Sequence, residues 1–194
     1  MTTVGLLLAA GAGRRMGGPK ALVRPAPGAP PLVQTAVSQL YEAGLEHVLV
    51  VVGAAGDRVA PVARVAGAEV VVADDWDEGM GASLRAGLRH LDGAEVVDAA
   101  LVMLVDLPDV GSEVHRRVLE ASGPEPADAL VRATYDGVPG HPVLLGRHHW
   151  AGVVDSARGD RGARVFLAAH GTRTVECGDL AGGRDVDTPD ALEP

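Results

Sequence analysis

Short unbroken apolar runs alternate with longer amphipathic stretches through the first half of the chain. Residues 4–10, 47–53, 69–74 and 99–105 are dominated by Val, Leu and Ala. A continuous apolar run of strand length, bounded by turn residues, reads as a strand buried on both faces. Between these runs the period changes. Leu32, Val33, Ala36, Val37, Leu40 and Tyr41 recur at spacings of three and four until Gly44, which predicts a helix. A weaker helical stretch opens at Asp57 and ends at Gly67, and residues 81–91 predict a helix with Leu84, Leu88 and Leu91 on one face. Strand and helix alternating in this way predict a parallel sheet with helices on both faces. In such sheets ligands gather at the carboxyl ends of the strands, where the strand order reverses.

The second half is less regular. Residues 112–122 predict a helix. The runs 128–135 and 141–145 flank Asp136-Gly137-Val138-Pro139-Gly140 and read as a hairpin, and helical segments follow around 150–157 and 161–169. A strand containing Val175 and a tail through Asp185 and Asp187 complete the chain, with no internal repeat. The fold class expected is α/β: one three-layer α/β/α, Rossmann-like domain over residues 1–194, its mostly parallel sheet extended by a small β-hairpin.

Composition narrows what such a domain does. Hydrophobic residues make up 47% and aromatic residues 3% of the 194, so the core is built from Ala, Val and Leu, which suits closely packed parallel strands. A formal net charge of −9 argues against a nonspecific grip on nucleic acid, which needs clustered Lys and Arg. The first apolar run lacks a basic n-region, and no run approaches a membrane span in length; a cytoplasmic protein is expected. The lone cysteine, Cys177, excludes an intramolecular disulfide and a zinc cluster.

Chemistry concentrates just after the first run, in Gly11-Ala12-Gly13-Arg14-Arg15-Met16-Gly17-Gly18-Pro19-Lys20. Glycines let backbone N–H groups converge on an anion, and Arg15 and Lys20 bring positive charge, so the loop suits a polyphosphate. Two familiar motifs do not fit. A dinucleotide fingerprint needs its third glycine one place earlier and an acid about 20 residues on, where Val33 and Gln34 stand. A P-loop needs Gly-Lys-[Ser/Thr], which Pro19 and Ala21 break. Further on, Asp106-Leu107-Pro108-Asp109 puts a carboxylate at the carboxyl end of a buried strand, where it can hold Mg2+ against phosphates. Asp109 is as well placed to cap the next helix. In the tail, Asp185 and Asp187 fall on one face if that segment is extended, and Asp187 or Thr188 before Pro189 also suits a helix cap.

The pattern L-A-A-G-x-G-x-R-M-G-x-x-K over residues 8–20 resembles the signature of the molybdenum cofactor cytidylyltransferase and guanylyltransferase group, the MobA-like NTP transferases. Further similar segments follow in order: Glu78-Gly79-Met80-Gly81-Ala82-Ser83-Leu84, Asp106-Leu107-Pro108, Gly140-His141-Pro142, residues 159–164 and Asp185-Val186-Asp187-Thr188-Pro189. The resemblance implies a GT-A-like nucleotidyltransferase domain, with the nucleotide bound by about residues 1–110 and the acceptor by about 111–194. It implies that Leu8, Ala9, Ala10, Gly11, Gly13, Arg15 and Lys20 wrap the triphosphate, that Gly79, Met80 and Ser83 lie near the base and ribose, and that Mg2+ sits on Asp106 with Asp185 or Asp187. Catalytic weight falls on Arg15, Lys20 and Asp106; His141, Arg161 and Arg164 lie on the acceptor side. The reaction implied moves NMP from an NTP, with CTP favoured because Ala10 stands where guanylyl enzymes carry glycine, to a phosphate-bearing acceptor such as molybdopterin. A molybdoenzyme or its maturation factor would be the protein partner. The rival readings are transfer to a sugar phosphate or phospholactate, a non-catalytic NTP-binding maturation factor, and a dinucleotide oxidoreductase. Gly13 departs from the serine common at its position, which removes a hydroxyl and leaves the backbone donor.

Overall fold

In the computed structural model, which describes residues 2–94 and 97–188, the four apolar runs of the first half are parallel strands. They are β1 (Thr3–Leu8), β2 (Val48–Val52), β3 (Glu69–Val72) and β4 (Ala99–Leu104), connected through α1 (Leu32–Glu42), α2 (Gly56–Val65) and α3 (Met80–Asp92). Every residue of β2 is buried, as are Leu6, Leu7 and Leu8 of β1. Both strands lie inside the sheet with helices on either side, which is why their sequences are continuous rather than alternating.

The second half adds α4 (Ser112–Glu120), β5 (Leu130–Tyr135), β6 (Val138–Gly146), α5 (Trp150–Ser156), α6 (Arg164–Ala169) and β7 (Arg173–Glu176). The seven strands of the described residues form one sheet in the order β3-β2-β1-β4-β6-β5-β7. The hairpin is thus part of the main sheet: β6 runs antiparallel between β4 and β5, and β7 returns parallel to β5. Its turn is also tighter than the five residues from Asp136 to Gly140. Only Asp136 and Gly137 lie between the strands, both with positive φ, as an Asp-Gly type I′ turn requires. Glu176 at the end of β7 fixes that turn, accepting the N–H groups of Asp136 and Gly137 at 2.9 and 3.1 Å. Hydrogen bonds from Thr134 and from the backbone N–H groups of Gly178, Gly137 and Asp136 push its pKa down to about 2.

Alternation along the strands divides the core in two. Leu7, Val50, Val52, Leu101, Met103 and Leu144 pack against α1, α2 and α4; Leu6, Leu8, Val51, Val102, Val143 and Leu145 pack against α3, α5 and α6. Leu84, Leu88 and Leu91 of α3 are buried as their spacing predicts. Each fully buried Leu contributes about 1.5–3 kcal/mol by leaving water.

One buried group works against this core at low pH. His115 of α4 is fully buried, and neither ring nitrogen has a hydrogen-bond partner among the described residues. Burial pushes its pKa from 6.5 down to about 4. Between those values the unfolded chain binds more protons than the folded one, so unfolding free energy falls as pH drops through that window, by at most about 1.4 kcal/mol per pH unit. In urea titrations at pH 7, 5.5 and 4.5, His115→Leu should flatten this slope. An unchanged slope would place the acid sensitivity in other groups.

Candidate active site

The strand order reverses between β1 and β4, and the ladder sets Leu8 beside Leu104. The segments that leave these two strands are therefore neighbours at the carboxyl edge. From β1 comes the glycine loop, in which the Gly13 carbonyl accepts the N–H groups of Met16 at 3.0 Å and Gly18 at 3.2 Å. Gly13 has φ 61°, and a Cβ there would stand 1.8 Å from the Gly18 oxygen. The glycine in place of serine thus does more than remove a hydroxyl: this loop shape admits no side chain at that position. The N–H groups of Gly11, Ala12 and Gly13 donate to no protein acceptor among the described residues.

From β4 comes Asp106, and the C-terminal segment brings Asp185 and Asp187 to it. One carboxylate oxygen from each lies within 4.8 Å of the others. Such crowding of negative charge is unfavourable without cations. Lys20 Nζ donates to Asp106 at 2.7 Å and also to Asp187, while Arg15 meets the other Asp187 oxygen at 2.8 Å. Burial works to lower the Lys20 pKa, but its bonds to Asp106 and Asp187 outweigh burial and raise it. The Asp187 carboxyl is held below its ordinary value, chiefly by the Lys20 hydrogen bond. Three carboxylates with no His or Cys among them suit a hard divalent cation such as Mg2+ or Mn2+ rather than a thiolate-seeking metal.

Asp109, expected as readily as a helix cap, instead anchors this segment. Its Oδ2 accepts the N–H groups of Gly182 at 2.8 Å and Gly183 at 3.0 Å, and α4 starts after Gly111 with no side-chain cap. Gly183, at φ 63°, lies so close to the Tyr135 ring that a Cβ would sit 2.3 Å from it. The Val186 N–H then donates to the Asp106 carbonyl at 2.9 Å. The tail acids are thus delivered by backbone bonds to the same turn that carries Asp106. Pro189, the last residue of the tail motif and the basis of the capping alternative there, lies outside the described residues.

Two clefts meet at Asp106. One of about 600 Å3 is lined by Leu8 to Arg15, Lys20, Trp76, Gly79, Met80 and Ser83, which gathers the loop and the residues expected near base and ribose. Arg85 braces its far wall: the buried guanidinium donates to Asp75 and Glu78, both at 2.6 Å, and to the Ala157 carbonyl at 2.9 Å. The Arg85 bond in turn holds the Asp75 carboxyl below its ordinary pKa. The other cleft, about 260 Å3, is lined by His141, Arg161 and Arg164, together with Arg132, Asp106 and Asp185. Desolvation, aided by the charges of Arg132 and Arg164, pushes the His141 pKa down to about 4, so its ring is neutral at pH 7. All the residues expected at the site therefore line one of the two clefts or, as Asp187 does, pair with Lys20 and Arg15 beside them.

Sequence reasoning passed over Trp76, Arg85 and Arg132, and assigned Asp109 no anchoring part. A charge inside the apolar strand Leu130–Tyr135 was the available signal for Arg132, and a lone Trp in the acidic run 74–78 was the signal for Trp76.

The sequence matches the MobA-like NTP transferase domain over residues 5–175. It is 34% identical to nicotine blue oxidoreductase of Paenarthrobacter nicotinovorans over 195 residues, 97% of this chain and 93% of that protein. Among solved structures, Rv0371c of Mycobacterium tuberculosis H37Rv superposes with a TM-score of 0.82 at 27% identity, covering 98% of this chain and 95% of the other. The complex of Rv0371c with manganese gives 0.75 at 24% identity, covering 96% and 94%.

If Asp109 places the tail acids, Asp109→Ala should leave the circular dichroism spectrum unchanged and weaken manganese binding, read by electron paramagnetic resonance, about ten- to a hundredfold, as loss of an outer support for metal ligands does. Undiminished affinity would mean that Asp185 and Asp187 keep their places without it.

Proposed function

The chain belongs to the MobA-like NTP transferase family, and we propose that this nucleotidyltransferase moves NMP from an NTP, CTP foremost, to a phosphate-bearing acceptor of the molybdopterin type, with Mg2+, releasing pyrophosphate. The observation that carries the reading is the gathering of Asp106, Asp185 and Asp187 beside loop N–H groups and two cations. The free N–H groups of Gly11, Ala12 and Gly13 take triphosphate oxygens, and Trp76, Gly79, Met80 and Ser83 take the base and ribose. Arg15 and Lys20, paired with the acids, turn to the phosphates as the carboxylates take the cation, so no charge is stranded at either stage. Bound Mg2+ supplies charge neutralisation on the phosphates.

On the acceptor side, His141, Arg161 and Arg164 orient the molecule so that its phosphate oxygen attacks the α-phosphorus in line as the bond to pyrophosphate breaks. No general base is required, because a phosphate monoester with a second pKa near 6 is already ionised at pH 7. Positioning and charge are then the protein's contribution. The first cleft draws on residues up to Asp106 plus Asp160, and the second adds residues from 132 to 185, which supports division near residue 110 into nucleotide and acceptor parts. No helix among the described residues is long and apolar enough to cross a membrane; a cytoplasmic place and delivery of product to a molybdoenzyme belong to the same proposal.

A second reading rests on the 34% identity to nicotine blue oxidoreductase: an oxidoreductase that holds a dinucleotide in the larger cleft. That reading leaves the three acids without a task, and NADH fluorescence titration distinguishes it.

The direct test incubates the protein with each NTP, Mg2+ and molybdopterin or its molybdenum form, and follows pyrophosphate. Lys20→Ala should keep the fold and lose one charge-assisted contact of about 1.5–3 kcal/mol, a fall in turnover of about ten- to a hundredfold. Asp106→Asn should fall further and recover partly with Mn2+, which accepts neutral ligands more readily. Pyrophosphate release by Asp106→Asn at the parent rate and low Mg2+ would move the metal off this residue.

A further inference from the structure

The smaller cleft is lined by Asp106, Asp160 and Asp185 as well as by arginines, and these acids leave two of the arginines unpaired among the described residues. Acids outnumber Lys and Arg by 26 to 17, yet among the described residues neither Arg132 nor Arg164 has a carboxylate partner. Arg132 donates Nε to the Gly140 carbonyl at 3.0 Å and one terminal nitrogen to the Pro139 carbonyl at 3.4 Å. A guanidinium has five N–H donors in a rigid fork, so most remain for a ligand. Burial, and then the nearby Arg164 charge, lower the Arg132 pKa. Two like charges held together, one of them half-buried, are unfavourable unless an anion joins them.

Position separates this pair from the acid corner. Arg132 stands opposite Val143 in the β5–β6 ladder, and Val143 stands opposite Val102 of β4. Adjacent strands are about 4.8 Å apart, so the Arg132 backbone is two spacings from the strand that leads to Asp106. The floor between is apolar, made by Val102, Val143, Leu145 and Leu167. His141 lines the same cleft.

We propose that Arg132 and Arg164, with His141 beside them, form the receptor for a second anionic group of the acceptor, a carboxylate or phosphate separate from the phosphate that attacks and joined to it by a flat or apolar body. Arg132 is then a specificity-determining residue, selecting acceptors that are anionic at both ends. This rests on the reading that the larger cleft takes an NTP.

The test loads the protein with Mg2+ and the α,β-methylene analogue of CTP, then titrates phenyl phosphate and 4-carboxyphenyl phosphate by calorimetry. The carboxylated ligand should bind about tenfold more tightly, the order that a charge-assisted hydrogen bond carries. Arg164→Gln, an exposed position, should abolish that preference while leaving affinity for the CTP analogue, which the other cleft takes, unchanged. Arg132→Gln should do the same. Arg132→Lys keeps the charge without the fork and should retain part of the preference. Equal binding of the two ligands by the parent, or a preference that survives Arg164→Gln and Arg132→Gln, overturns the receptor. Failure of the CTP analogue to bind at all would overturn the nucleotide reading and the receptor with it.

Discussion

The parallel register of β1 with β4, Leu8 against Leu104, is the constraint from which the site follows. Two parallel strands joined through a long crossover deliver their carboxyl ends to the same edge. Strand order turns outward in both directions from this pair. The glycine loop and the Asp106 turn consequently emerge side by side, although α1, β2, α2, β3 and α3 separate them in the chain. The same register explains why Leu6, Leu7 and Leu8 are all buried: a strand with neighbours on both edges and helices on both faces has no side left for a polar residue.

Around that edge, electrostatics and backbone hydrogen bonding divide the work. Lys20 and Arg15 offset the three gathered carboxylates, but salt bridges at partly exposed positions contribute little to stability, and they do not explain why the tail is there. Its placement comes from neutral N–H donors: Gly182 and Gly183 to Asp109, and Val186 to the Asp106 carbonyl. These bonds leave the acids' own oxygens available to ligands. The tail acids are thus placed by backbone groups and by a carboxylate, Asp109, that is not one of the three gathered acids, and the balance of charge among those three and their cations can change without undoing the scaffold.

What was legible in the sequence was local. Four apolar runs, the helical spacing of Leu32 to Leu40 and of Leu84 to Leu91, and the glycine loop followed later by Asp106 each declare themselves within a dozen residues, and the structure places them as expected. What was not legible depends on which elements meet. The apolar run 141–145 marks a strand but not its neighbour. Proline at 142 argues against a central strand, yet β6 is central because its ladder to β4 begins only at Val143, just past the missing N–H. Asp109 looked like a helix cap because its true partners, Gly182 and Gly183, lie 73 and 74 positions away. Arg132 gave the faint signal of a charge in an apolar strand, while the face it shares with His141 is decided by the β5–β6 register.

The Asp109 bond to Gly182 spans 73 positions and so closes a long loop. The entropy lost on closing a loop grows only slowly with its length, and most of it is spent once the ends meet. A cation held jointly by Asp106, Asp185 and Asp187 would join the middle of the chain to its tail across a similar span. By mass action, a ligand that binds the closed form alone stabilises it in proportion to the logarithm of ligand concentration over its dissociation constant. A cation held there would in that sense act as a reversible cross-link. It would lend the fold some of what a disulfide lends a secreted domain, in a chain whose single cysteine has no second with which to form one.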